Sequence, residues 1–145
     1  IRKYLAEKSK CNNSDCKTIS KSEKDLKFIQ NNGFCINCTV DREHDLRTAG
    51  VFEEYQNYKV WTRMIVFGKT KLEELKQSLL DVRPFYEYVN ENGSTERWDL
   101  PNSVEDTKKE IQDMINTGEG EITELESKRN LAFDVLKEKN YEHYI

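Results

Sequence analysis

Four cysteines are the residues of this chain best suited to chemistry. All stand within its first 38 positions, as Cys11-x4-Cys16, an eighteen-residue spacer, and Cys35-x2-Cys38. A close pair of cysteines forms a knuckle that presents two sulfurs, and two knuckles complete a tetrahedron around one Zn2+. The spacing predicts a metal site made by Cys11, Cys16, Cys35 and Cys38. Gly33 and Phe34 precede the second knuckle, where a glycine suits a backbone that must turn tightly. His44, six residues after Cys38, is an imidazole that could replace Cys11 or Cys16, although such a histidine is more often a solvated helix residue. The same thiols also fit two disulfides, or a redox pair at Cys35 and Cys38. Nothing marks the chain for export, and a helical segment rather than the strand of a βαβ unit precedes Cys35.

A four-sulfur site has no open position for water, so the expected role of the metal is to hold the fold. Other catalytic signals are absent. There are two histidines, no phosphate-binding loop and no nucleophile elbow, and Thr117-Gly118-Glu119-Gly120 is too short and acidic to cradle phosphate. The expectation is a protein that is not an enzyme.

These cysteines must be positioned by elements drawn from a polar sequence. Of 145 residues 36% are hydrophobic and 34% charged, which suits either disorder or long helices with a narrow apolar seam. Periodicity selects the helices. Tyr58, Trp61, Ile65, Gly68, Leu72, Leu75, Leu79, Val82, Tyr86 and Val89 alternate in steps of three and four, the seam of a coiled coil. Pro84 should kink or break this helix near Val82. Before it, Ser20 and Ser22 start a short helix that Asn31, Asn32 and Gly33 stop, and a second helix runs from Thr39 to a cap at Gly50. After it, Asn92-Gly93 and Leu100-Pro101 bracket a loop carrying Trp98. Ser103, with Asp106 three residues on, caps a last helix that Gly118 and Gly120 weaken or break.

The expected fold is therefore mainly α. A zinc-binding head over residues 1–50, ribbon-like or treble-clef-like, joins a long antiparallel helical hairpin or coiled coil over residues 51–145. Arms of about 40 residues at 1.5 Å rise would reach roughly 60 Å.

Residues 11–58 resemble a set of small tailed-bacteriophage proteins. The matching residues are Gly33, Phe34, Cys35, Cys38, Glu43, Leu46, Gly50, Glu54 and Tyr55. The family more often has two residues between the first cysteines, where this chain has four. The resemblance implies a viral protein made in bacterial cytoplasm and packed into the virion, and it assigns no activity.

The formal charge of -4 is uneven. Ten Lys/Arg against seven Asp/Glu lie in residues 1–48, and thirteen against twenty lie beyond. Four thiolates and one Zn2+ would bring the head to about +1, a weak footprint for nucleic acid. The favoured function is a zinc-stabilised structural or interaction protein, an adaptor or scaffold binding other protein subunits through its seam or the Trp98 loop. The alternative is a nucleic-acid-binding or transcription-regulating zinc module that sets Lys3, Lys8, Lys10, Lys17, Lys21, Lys24 and Lys27 against phosphates. The longest apolar run, Met64 to Phe67, falls far short of the roughly 18 residues of a membrane span. With no secretory signal legible, the expected location is cytoplasmic, without membrane contact. The chain opens at Ile1, which leaves a processed leader open.

Overall fold

A computed structural model describes residues 10–17 and 22–145; Lys3, Lys8, Ser20 and Lys21 lie outside the described residues. The described chain is mainly helical: α1 (Glu23–Asn32), α2 (Ile36–Thr48), α3 (Phe52–Leu80), β1 (Phe85–Val89), β2 (Thr95–Asp99), α4 (Val104–Glu138) and a 3-10 turn (Glu142–Tyr144). It divides into two compact units, Ile1–Gln56 with Phe133–Ile145, and Asn57–Ala132. No helix among the described residues is long and apolar enough to cross a membrane.

In the first unit, local signals set the helix ends. The Ser22 side chain accepts from the Asp25 N–H at 3.1 Å, and Gly33 closes α1 in the left-handed conformation at φ 79°, the usual glycine cap. Helix α2 starts at Ile36, three residues before the expected Thr39. The reason is that Cys35 is its N-cap, the sulfur accepting from the Cys38 N–H. Ile29, Cys35, Cys38, Leu46, Val51, Tyr55 and Leu136 are the buried apolar residues here.

In the second unit, the three-and-four stripe of α3 meets a matching stripe of α4. Ile65, Leu72, Ile115 and Ile122 form the buried cluster, flanked by Leu75, Leu79, Ile111 and Leu125. A Cβ on Gly68 would lie 3.2 Å from Ile122, and one on Gly118 would lie 2.8 Å from Leu72 Cδ2. Lys69 reaches Glu126 at 2.7 Å and Lys76 reaches Glu119 at 2.8 Å. As residue numbers rise along α3 they therefore fall along α4.

Three expectations are corrected in this unit. The stripe does not continue as helix through Val82, Tyr86 and Val89. Helix α3 ends at Leu80, and Phe85–Val89 is a strand paired antiparallel with Thr95–Asp99. Proline cannot donate the next helical hydrogen bond, and the Phe-Tyr-Glu-Tyr-Val run after it favours extended pairing. Trp98 is not in a loop: it lies on β2 opposite Tyr86. Nor do Gly118 and Gly120 interrupt α4, which is continuous from Val104 to Glu138. Packing against Leu72 holds Gly118 helical against its weak propensity. Ser103 does cap this helix, accepting from the Asp106 N–H at 3.0 Å and donating to its carboxylate at 2.8 Å.

Candidate metal centre

The first knuckle is built by two asparagines. Asn13 folds the Cys11–Cys16 loop by accepting from Asp15 N–H on its side chain at 3.0 Å and from Cys16 N–H on its carbonyl at 3.1 Å. Asn12 N–H donates to Gly33 carbonyl at 2.8 Å, which ties this loop to the turn before the second knuckle. Gly33 suits this turn chiefly through its backbone, and any side chain there would also have to displace the end of Asn12. Its φ of +79° disfavours side chains, and a Cβ would lie 2.6 Å from Asn12 Nδ2.

The four sulfurs converge from the two knuckles, all within 4.8 Å of one another. Cys16 Sγ and Cys35 Sγ are 3.7 Å apart. Metal–sulfur bonds of about 2.3 Å in a tetrahedron require edges of about 3.8 Å, whereas a disulfide brings its sulfurs to about 2.05 Å. None of the four cysteines is in a disulfide. Cys35 and Cys38 are buried, Cys11 and Cys16 half-buried, and Ile29 and Phe34 pack around them.

Donors surround these sulfurs. Cys35 N–H points at Cys11 Sγ at 3.3 Å, Cys38 N–H at Cys35 Sγ at 3.5 Å, and Asn13 Nδ2 at Cys38 Sγ at 3.3 Å. Cys35 and Cys38 also lie at the N-cap and third position of α2, where the helix dipole favours negative sulfur. Against this, burial pushes the Cys38 thiol up to about 12; Asn13 lowers it, while the sulfurs of Cys35, Cys16 and Cys11 raise it further. Four thiolates so close need a cation among them, and the donor set fits a soft or borderline metal ion.

The structure thus brings together the four residues singled out by spacing. His44 is exposed on α2 and does not belong to the cluster, which consists of the cysteines. Asn12, Asn13 and Asp25, whose carboxylate accepts from Ile36 N–H at 3.1 Å, support the site without having been anticipated. The Asn-Asn-Ser-Asp run between Cys11 and Cys16 was the available signal, because asparagine side chains make tight turns with the following backbone. Beside the site, Arg42 lies between the rings of Phe34 and Tyr144 at 4.0 and 4.4 Å and donates to Tyr144 carbonyl at 2.6 Å.

No family model matches the chain, and neither a curated protein nor a solved structure does.

Proposed function

We propose that this chain is a zinc-stabilised adaptor or scaffold, in which a zinc head carries an antiparallel helical hairpin that binds other protein subunits. The observation that carries the reading is the convergence of four sulfurs from two knuckles. A closed set of four protein ligands leaves a metal no coordination position for water or substrate, so the ion would supply folding energy instead of chemistry. Cys11, Cys16, Cys35 and Cys38 would hold it. On the resemblance of residues 11–58, the assembly in view is a tailed-phage particle.

The test is metal analysis with thiol titration, followed by recovery of the chain from its native assembly. The expected result is about one zinc per chain and retention of the chain with protein subunits. Cys35→Ser should abolish both zinc binding and that retention while most of the helical signal persists. Oxidised, metal-free cysteines would overturn the zinc assignment. Tight nucleic-acid binding at physiological salt, lost on charge reversal at Lys24 and Lys27, would replace the adaptor reading with a nucleic-acid-binding one.

A further inference from the structure

The two faces flanking the α3/α4 seam differ in chemistry. On one, Lys69–Glu126 and Lys76–Glu119 bridge the helices. On the other, Val60, Met64 and Phe67 of α3 form a stripe spaced by four and three residues, and α4 presents Met114 and Leu131. These five are 48% to 65% exposed. Between them lies a depression of about 300 Å³, floored by Gly68, Leu72, Gly118 and Ile122 and rimmed by Lys71 and Glu121. A helix pair can bury only the seam between its members. Five large apolar side chains along one side therefore mark a face that a further layer covers.

We propose that the layer is a second copy of this chain, related by a two-fold axis parallel to the helices, so that four helices close into one antiparallel bundle. This deepens the interaction reading given above, naming the partner of the helical pair. The charges on the rim select the occupant. Leu72 is level with Gly118 and Gly68 with Ile122, so Lys71 of α3 and Glu121 of α4 stand at nearly the same height on opposite helices. A two-fold axis along the bundle lays each α3 over the other copy's α4 and leaves heights unchanged. Each Lys71 then faces Glu121 of the second copy, twice per dimer. Lys71 already contacts Glu74 at 2.6 Å, and an ammonium with three donors can serve both carboxylates. The same operation sets Phe67 of one copy over the Ile122 and Leu125 side of the other's depression. Knob and hole thus lie on one self-complementary surface, as a two-fold interface requires.

Sedimentation equilibrium of the zinc-loaded full chain tests this. Wild type should be a dimer at about 50 µM, since well-packed interfaces of standard size dissociate at micromolar concentrations or below. Phe67→Asp and Met114→Asp, both at exposed positions, should give monomers with unchanged helical signal and zinc content. Lys71→Glu and Glu121→Lys should each weaken the dimer roughly tenfold, because two bridges become two repulsions, and the double variant should restore it. A monomeric wild type, or dimers that persist in both aspartate variants, would overturn the proposal. Single reversals that weaken the dimer without restoration by the pair would overturn the two-fold arrangement. A monomer with one bound zinc would refute the dimer and leave the adaptor reading standing. A metal-free chain that dimerises as described would do the reverse.

Discussion

Gly118 and Gly120, two residues apart in the same helix, should respond oppositely to alanine. In a helix interior alanine is favoured over glycine by about 1 kcal/mol, mostly through backbone entropy. At Gly120 an added Cβ meets nothing within 4 Å. Gly120→Ala should gain the full amount and raise the midpoint by about 3 °C for a chain of this size. At Gly118 the same methyl lies 2.8 Å from Leu72 Cδ2, where carbon atoms prefer about 3.5 to 4.0 Å. Leu72 is buried with Ile65, Ile115 and Ile122, so yielding to the methyl means shifting away from that cluster towards the depression it floors. Overpacking of this kind costs about 1 to 3 kcal/mol. Gly118→Ala should therefore lose about 1 kcal/mol on balance, leaving the two variants about 2 kcal/mol apart. Urea and thermal unfolding followed by far-ultraviolet circular dichroism, at one protein concentration, would measure both. Leu72→Ala supplies a cycle: its own cost of about 2 to 5 kcal/mol should shrink by about 1 in the Gly118→Ala background. Equal stabilisation by both alanines, with no coupling to Leu72, would show that Gly118 does not seat Leu72 and would refute the packing described for this pair.

Two further outcomes follow from particular contacts. Ser103→Ala should destabilise the protein by about 1 kcal/mol in urea unfolding, through loss of the N-cap bond to Asp106, with Ser103→Thr, which keeps the hydroxyl donor to the Asp106 carboxylate, recovering most of it. The Tyr144 hydroxyl should ionise above the ordinary tyrosine range, because burial raises it first and Asp45 next. Its contribution to stability is then fully present below about pH 10 and lost as pH rises through the higher folded value. Ultraviolet phenolate titration and the alkaline stability slope should both change in Tyr144→Phe.

The four-cysteine cluster was legible because spacing alone restricts where four sulfurs can meet, and Ser22, Gly33 and Ser103 were legible because caps depend on a few adjacent residues. The seam was legible from Trp61 to Leu79, where three-and-four spacing and burial agree. It misled beyond Leu80, where the helix ends, because Val82, Tyr86 and Val89 satisfy that spacing by coincidence. Phe85–Val89 is equally a strand with aromatic and β-branched residues, followed by Asn92-Gly93 as a turn. The continuity of α4 was hidden for another reason. Local propensity at Gly118 argues against a helix, and what overrides it is Leu72, 46 residues away in sequence, whose proximity no window around Gly118 contains. Asn13 as a donor to Cys38 was likewise invisible, since it depends on how one knuckle folds over the other.

The two-stranded ribbon bears on how this protein behaves when crowded. The sheet consists of β1 and β2, so among the described residues each strand has an outer edge paired with no other strand. Tyr86, Tyr88, Val89 and Trp98 stand exposed along it. Such a segment is a template for stacking ribbon on ribbon, the route by which exposed strands nucleate insoluble aggregates. What opposes this is charge: Glu87 lies midway along β1 opposite Arg97, and Glu96 and Asp99 complete β2. Extending either strand edge to edge would bring these charges out of water beside those of another molecule. The ribbon's resistance to stacking thus rests on side chains that also hold it together, Glu96 accepting from Tyr88 and Asn90 and Arg97 lying over the Phe85 ring, so a lineage that neutralised them would loosen the ribbon and favour its aggregation at once.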